Sequence, residues 1–339
     1  MPTEPTHTPA AAAESGHPAA SSAVMLISAA AAFGVGTLTA LQSRANGTLA
    51  TVFGSSIDAA LSSFLTGWIV LSAGLLLPQA RAGLARAYRA YRDQHLSWWQ
   101  FLGGLGGGFL VATQAWAVPQ IGVALFTIAL VGGQTVNALL VDGLGLGPAG
   151  KTPVTLGRVI ASLGTFVGVA VAMIGRGGQG QGGLPLVVIL VAVAAGAGLA
   201  VQQAINGRVN RATGHVMATT WINFTWGIGL LLGVLLAQIA RGTWRPPVSW
   251  NAPPWAWVGG LLGIVFVAVG AVVVNHLGVL LAALLTLAGQ LIGAVVVDVL
   301  TPGGAANING LVLLGVALTL ASAGGAAYAA RRARRPAAA

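Results

Sequence analysis

Long apolar segments alternate with short polar ones along almost the whole chain. The apolar segments approach 20 residues, the length that an α-helix needs to cross the hydrocarbon core of a bilayer. They lack the polar and apolar alternation that is typical of transmembrane β-strands. The pattern therefore predicts an all-α polytopic membrane protein with ten transmembrane helices. The predicted helices cover residues 22–42, 56–78, 98–118, 120–141, 154–175, 184–203, 216–239, 255–275, 278–297 and 308–329.

A polar motif within this pattern occurs twice. The pattern Gln-x-x-x-Asn-Gly begins at Gln42 and again at Gln202, 160 residues later. Other residues align at this offset and, after a four-residue change in loop length, so does the later part of each half. The aligned pairs are Gly54 and Gly214, Phe64 and Phe224, Gly67 and Gly227, Trp99 and Trp255, Gly122 and Gly278, Gln134 and Gln290, and Asp142 and Asp298. The chain is therefore predicted to consist of two related halves.

Each half contains five predicted helices, and this odd number has a topological consequence. The second copy must enter the membrane upside down relative to the first, and two inverted five-helix repeats around a midplane site are a transporter architecture. The predicted organisation is a disordered tail (1–21), the first repeat (22–175), a Gly-rich joint (176–183), the second repeat (184–329) and a basic cytoplasmic tail (330–339).

Charge is scarce and unevenly distributed. The 339 residues include only 16 Lys or Arg and 6 Asp or Glu, whereas soluble domains carry roughly a quarter charged residues. With the N-terminus inside, the loop 79–97 and the last ten residues dominate the basic charge of the inner segments, and Arg44 is one of few outer basic residues. The positive-inside rule then places both termini in the cytoplasm. We interpret the net charge of +10 as topology, with the basic tail contacting anionic lipid, and expect no nucleic-acid partner.

Amide side chains inside the apolar segments are the candidate site residues. Gln42 and Asn46 are four residues apart, as are Gln202 and Asn206, so each pair shares one helix face. An amide without a partner is costly in hydrocarbon. Single amides can serve as bonds between helices, but the duplicated pairs at an inverted-repeat interface predict a substrate cavity. The cavity candidates are Gln42, Asn46, Gln202, Asn206, Gln134, Gln290, Trp116 and Asn223, and further amides within predicted helices are Gln114, Asn137 and Asn275.

Ionisable groups are almost absent from the predicted helices, which contain no Glu and no Lys. Asp58, near the start of the second predicted helix, is the acid best placed to act as a proton relay. His215 and His276 are the other candidate relays, and both lie near helix ends. The chain has no Cys, and its His residues show no metal-ligand spacing, so we predict no metal site, no cofactor and no catalytic residue.

A nucleotide-binding membrane enzyme is the competing hypothesis. The sequence from Gly145 to Thr152 matches the phosphate-binding pattern G-x-x-x-x-G-K-[ST], and the run that ends at Asp298 looks like a magnesium site. Such a loop requires a strand before it and a helix that opens at the lysine. Here a helix-length apolar segment precedes the loop, and Pro153 follows it. We therefore predict a connecting loop, and a non-transporting membrane scaffold is a third hypothesis.

The repeated motifs resemble those of the drug/metabolite transporter superfamily, and most closely its YdcZ-like branch. The motif at Gln42 is followed by Gly54-Ser55 and Phe64-x-x-Gly67, and its counterpart at Gln202 by Phe224-x-x-Gly227. The resemblance implies an alternating-access carrier with its cavity between spans 1–4 and 6–9 and with spans 5 and 10 peripheral. Small multidrug-resistance relatives couple to protons through a Glu in the first span, and this sequence has none.

From the residues and the resemblance together, we predict a secondary transporter in the bacterial cytoplasmic (inner) membrane. It is expected to export a small organic metabolite or drug-like solute by alternating access, without a nucleotide. A homodimer is a candidate assembly.

Overall fold

The computed structural model describes residues 22–148, 150–151, 154–177 and 186–333. The predicted N-terminal tail, most of the Gly-rich joint and the end of the basic tail lie outside these residues. So do the side chains of several residues within 270–280 and 326–333, Asn275 and His276 among them. The described chain is helical throughout its regular structure and contains no strand, which confirms the all-α prediction.

Nine α-helices make up the described chain, together with three short 3-10 helices. The α-helices are α1 (Ser22–Phe53), α2 (Ser56–Gly74), α3 (Pro78–Arg92), α4 (Gly103–Leu144), α5 (Leu156–Gly177), α6 (Leu186–Thr213), α7 (Val216–Ala240), α8 (Gly259–Leu300) and α9 (Gly310–Ala333). The 3-10 helices are Trp98–Leu102, Pro254–Val258 and Gly304–Asn307. Seven segments of the described chain are long and apolar enough to cross a membrane, so the chain is a multi-pass membrane protein.

Helix α4 is broken at Gly122, which divides it into α4a (103–121) and α4b (123–144). Gly122 has φ of +78° and ψ of 168°, a conformation that glycine adopts at little cost. The break leaves the first N–H groups of α4b without partners inside the helix. The Asp298 side chain, at the end of α8, accepts hydrogen bonds from Val123 N (3.0 Å) and Ala124 N (2.8 Å). A residue of the second half thus caps a helix of the first half.

Helices α1 and α6 extend well beyond their predicted ends at residues 42 and 203. They end at Phe53 and Thr213, and the residue after each helix is a glycine in the left-handed region, Gly54 (φ +67°) and Gly214 (φ +59°). The two glycines are aligned positions of the repeat, so the same C-terminal signal ends both helices. The repeated Gln and Asn motif therefore lies inside each helix, and Arg44 is within α1 rather than in a connecting segment.

The segment predicted as the basic loop 79–97 is mostly the helix α3. Its buried positions Ala80, Gly83 and Ala87 lie on one face, with spacings of three and four residues. Arg86 Nε donates to the carbonyl oxygen of Thr213 (2.6 Å), which joins α3 to the end of α6. The short amphipathic pattern is below the length of a membrane span, and for that reason a search for spans misses it.

Close helix contacts recur at aligned positions of the two halves. Helix α1 packs along the second half of α8, and α6 packs in the same way along α4b. At nine described glycines a Cβ atom would lie under 3.0 Å from a backbone oxygen of the facing helix, and six of the nine form three aligned pairs. These contacts are Gly36 with Thr286 and Gly196 with Leu130, Gly289 with Phe33 and Gly133 with Val193, and Gly260 with Ser63 and Gly104 with Asn223. Small residues permit such close approach in membrane proteins.

Two further helix pairs complete the arrangement. Helices α2 and α7 meet through Phe64 and Phe224, whose ring centroids are 4.8 Å apart. Helices α5 and α9 contact each other at Gly168 and Gly315. The largest buried cluster surrounds α4b, where Phe126, Ile128 and neighbouring residues are fully buried.

Candidate functional site

The first polar cluster lies between α1 and α4a. Asn46 is fully buried, and its Nδ2 donates to Gln114 Oε1 (2.8 Å). Gln114 Nε2 in turn donates to Ser43 Oγ (3.0 Å). Asn46 Oδ1 has no hydrogen-bond partner among the described residues. The cluster therefore holds Asn46 by its donor, while its acceptor lies beside Gly259 at the start of α8.

The second polar cluster lies between α6, α7 and α4a. Gln202 Nε2 donates to Asn223 Oδ1 at 3.4 Å, which is long for such a bond. Gln202 Oε1 and Asn223 Nδ2 are both buried and have no partner among the described residues. A Cβ atom added at Gly107 would lie 3.3 Å from the polar atoms of both side chains. One weak hydrogen bond thus leaves an acceptor and a donor of this pair unused.

The repeated Gln and Asn residues occupy equivalent positions in the two halves. Gln42 lies against Gly263 of α8 as Gln202 lies against Gly107 of α4a, and these glycines are aligned in the repeat. Asn46 and Asn206 likewise face the aligned glycines Gly259 and Gly103. In each half the Asn side-chain oxygen lies beside the glycine, Asn46 beside Gly259 and Asn206 beside Gly103. The Phe224 ring also lies near Gly263, so the phenyl pair of α2 and α7 is adjacent to Gln42.

Gln134 and Gln290 lie at a different level from Gln42 and Gln202. Their backbone nitrogens abut Gly196 and Gly36, and each of these glycines precedes its motif by six residues, or about 9 Å along a helix. Gln134 Nε2 donates to Gln203 Oε1 (3.1 Å). The structure therefore does not bring these two glutamines together with the Gln42 and Gln202 amides.

Unpartnered polar atoms coincide with the predicted site residues. Five of the eight cavity candidates carry a buried side-chain N or O atom without a partner among the described residues: Asn46, Gln134, Gln202, Asn223 and Gln290. Ser63 Oγ is unpartnered as well, and Ser63 is aligned with Asn223. Such atoms cost about 1–3 kcal/mol each when they are left unsatisfied. A polar ligand or water is the usual partner for groups of this kind.

Trp116 faces away from the amide clusters. Its side chain is 37% exposed, and it lines an apolar cleft of about 270 Å³ together with Ile57, Phe109 and Leu230. Gln114, two residues earlier in α4a, is fully buried. The structure thus separates Trp116 from the polar site that it was predicted to share, because residues two apart point to different sides of a helix.

Asp58 lies at the start of α2, against the segment that follows α7. Trp244 Nε1 donates to Asp58 Oδ1 (3.4 Å), and Asp58 Oδ2 is buried without a partner among the described residues. The Asp58 backbone N donates to the Ser55 side chain, which caps α2. Within the described part of the chain no hydrogen bond joins Asp58 to either amide cluster, and its role as a proton relay stays a prediction.

The loop that matches the phosphate-binding pattern lacks the required structural context. A helix, α4, precedes it rather than a strand, and the next helix begins at Leu156, five residues beyond Lys151. Ala149, Thr152 and Pro153 lie outside the described residues. Asp298, which was considered as a magnesium ligand, caps α4b instead. Within the described residues no group of three His, Cys, Asp or Glu could hold a metal ion.

Several residues of the clusters were not among the predicted site residues. Ser43, Ser63 and Gln203 are small or partly exposed polar residues whose role depends on the partner helix. The repeat alignment contains a signal for two of them, because Ser43 is aligned with Gln203 and Ser63 with Asn223. Aligned positions that are polar in both halves would have identified them.

Comparison with known proteins gives one family match. The family model described as "Putative inner membrane exporter, YdcZ" matches the chain twice, at residues 24–171 and 187–324. No curated protein matches the chain. A solved structure titled "Crystal structure of protein" is 18% identical, covers 92% of this chain and 99% of its own, and has a TM-score of 0.49.

Proposed function

The chain belongs to the YdcZ family of inner membrane exporters, and from this premise we propose that it exports a small polar organic solute by alternating access. The solute is proposed to bind at the amide clusters around Gln42, Asn46, Gln202 and Asn223. The observation that carries the proposal is the set of unpartnered buried polar atoms at Asn46, Gln202 and Asn223.

The proposed architecture is ten spans in two inverted repeats. Helices α4 and α8 each contain 42 residues, or about 63 Å at 1.5 Å per residue, roughly twice the thickness of the hydrocarbon core. Each then supplies two spans, and every half has five, with α3 at the membrane surface. The reciprocal glycine contacts between the halves support this arrangement. In such transporters the two halves exchange conformations while the site stays near the midplane.

The free atoms of the clusters suggest the chemistry of the solute. Asn46 Oδ1 and Gln202 Oε1 are acceptors, and Asn223 Nδ2 is a donor. No charged side chain belongs to either cluster, so a charged solute would find no counter-charge there to offset its desolvation in the membrane. We therefore propose an uncharged or zwitterionic solute that carries both hydrogen-bond donors and acceptors.

A thermal-shift screen tests the proposal on the full-length protein in detergent. The library contains small neutral metabolites, amino acids, cationic drugs and ATP, each at millimolar concentration. A ligand at 100 times its Kd stabilises the native state by about 2.7 kcal/mol, so weak solutes are detectable. We expect stabilisation by a small polar solute and transport of that solute in proteoliposomes.

Glutamine variants test whether the stabilising solute binds at the amide clusters. The double variant Gln42→Leu with Gln202→Leu is expected to abolish both the shift and transport, whereas Gln79→Leu on the exposed face of α3 is expected to preserve both. Unchanged transport by a well-expressed double variant would contradict the proposal. Stabilisation by ATP alone would support the nucleotide-binding alternative instead.

A further inference from the structure

A basic cavity lies at the end of the molecule where α4b and α6 terminate. Its volume is about 430 Å³, and Arg208 and Arg211 line it together with His95 and the backbone of Gly147 and Pro148. No acidic side chain is among its lining residues. The cavity therefore concentrates positive charge, although the chain as a whole has few charged residues.

The loop after α4 fixes the orientation of both guanidinium groups. Arg208 Nε donates to the carbonyl oxygen of Gly147 (3.3 Å), and its Nη2 donates to that of Gly145. Arg211 Nη1 donates to the carbonyl oxygen of Pro148. A guanidinium has five N–H donors, so both groups retain donors for a ligand. Their spacing of three residues also places them on one face of α6.

Membrane topology alone does not explain these two arginines. Basic residues that only set orientation need no fixed partners, and exposed Arg81 and Arg89 of α3 show this behaviour. Arg208 is instead partly buried and held by two carbonyl groups. The residues aligned with Arg208 and Arg211 in the first half are Thr48 and Thr51. The repeat therefore does not require a charge at either position.

We propose that this cavity binds a phosphate group, carried either by an anionic phospholipid headgroup or by a free phosphorylated compound. Guanidinium groups pair with phosphate oxygens through charge-assisted, often bidentate hydrogen bonds. The recognition differs from that of a nucleotide loop. In a nucleotide loop the backbone N–H groups point at the phosphate. In this cavity the loop carbonyl oxygens orient the arginines, and the arginine side chains contact the ligand.

Occupation of the cavity would brace the helices that carry the candidate transport site. The cavity joins the last turns of α6, the loop that follows α4b and the segment between α3 and α4a. Gln202 is in α6, six residues before Arg208. The basic α3 lies at the same end, which the positive-inside rule assigns to the cytoplasm, where anionic lipids attract arginine clusters.

Ligand-dependent stabilisation of the full-length protein in a neutral detergent tests the proposal. The probes are short-chain phosphatidylglycerol, short-chain phosphatidylcholine and inorganic phosphate, each titrated by thermal shift. Stabilisation by phosphatidylglycerol but not by phosphatidylcholine identifies a lipid headgroup, and stabilisation by inorganic phosphate identifies a free phosphate compound. Absence of any specific shift overturns the proposal.

Arginine variants test whether the stabilising ligand binds in the cavity. The double variant Arg208→Gln with Arg211→Gln is expected to raise the apparent Kd of the active probe at least about tenfold. The double variant Arg81→Gln with Arg89→Gln removes the same charge from the same end and is expected to leave the Kd unchanged. If the first variant does not fold, Arg211→Gln alone is used, because Arg211 is exposed and has one carbonyl partner. Equal losses in the pocket and control variants overturn the proposal.

The result is independent of the transport proposal. The readout is binding of a phosphate group at the arginines, whereas the transport proposal is tested by neutral solutes and the glutamine variants. Loss of phosphate binding with retained solute binding, or the reverse, separates the two.

Discussion

Glycines, which have no side chain, allow the central helices to approach each other closely. Gly104 and Gly260 are aligned in the repeat, and each lies against the backbone of the facing helix, at Asn223 and Ser63 respectively. A membrane offers little hydrophobic driving force between helices, so close packing supplies much of the stability. The same approach brings the backbone of two site residues against α4a and α8.

Alanine at either of these glycines is therefore expected to destabilise the protein. The added Cβ would lie under 3.0 Å from a backbone atom, and overpacking of this kind costs about 1–3 kcal/mol. Thermal denaturation in detergent measures the effect for Gly104→Ala and Gly260→Ala. Gly233→Ala in α7 is the control, because nothing lies within 4 Å of its added Cβ. A stability for Gly260→Ala equal to that of the control would contradict the helix contact.

At the scale of single elements, the break in α4 is the main departure from regular helix. Gly122 permits the left-handed backbone, and Asp298 supplies the acceptors that the new helix start requires. Asp142, the residue aligned with Asp298, instead forms an ion pair with Arg158 and has a partly exposed side chain. Aligned residues thus have different partners in the two halves. This difference is expected if the two repeats adopt different conformations in a given state of an alternating-access cycle.

Asp298 and Asp142 are expected to contribute unequally to the stability of the protein, because Asp298 caps a helix. Asp298→Ala removes two hydrogen bonds to a helix N-terminus, and loss of such a cap costs about 0.5–2 kcal/mol. Asp142→Ala removes a partly exposed ion pair, and such pairs contribute about 0–1 kcal/mol. Thermal unfolding of the two variants is expected to show the larger loss for Asp298→Ala. The reverse order would exclude the cap as a main source of stability at the break.

At the scale of the whole molecule, the two ends of the helix bundle differ in charge. The basic helix α3 follows the end of α2, and the segment after α7 contacts the start of α2 through Trp244 and Asp58. These two surface segments therefore lie at opposite ends of α2. The positive-inside rule assigns the α3 end to the cytoplasm.

Cysteine labelling tests this orientation without further engineering, because the chain has no native Cys. A membrane-impermeant maleimide applied to spheroplasts is expected to label Thr243→Cys and to leave Tyr88→Cys on α3 unlabelled. Both variants are expected to react after the membrane is permeabilised, which controls for accessibility. Labelling of Tyr88→Cys alone in intact spheroplasts would show that the protein has the opposite orientation.

Much of this architecture is accessible from sequence, because a span requires about 20 apolar residues whatever its neighbours are. The repeat, the scarcity of charge and the amide candidates are equally visible in the chain. Helix ends were less accessible: α1 and α6 continue for about three turns beyond their predicted ends. Their polar motifs resemble loops by composition, and burial against the facing helices keeps these segments helical.

The sequence by itself determined that this is a helical, multi-pass membrane protein, and its repeated motif indicated where polar chemistry is concentrated. Local composition suffices for these conclusions, because the bilayer imposes the same solvent on every span. Only the tertiary structure decided which amides have partners, that Asp298 caps a helix of the other half, and that Arg208 and Arg211 share a cavity. Such relations join residues far apart in the chain, and they depend on distances of a few ångströms between helices that sequence patterns do not specify.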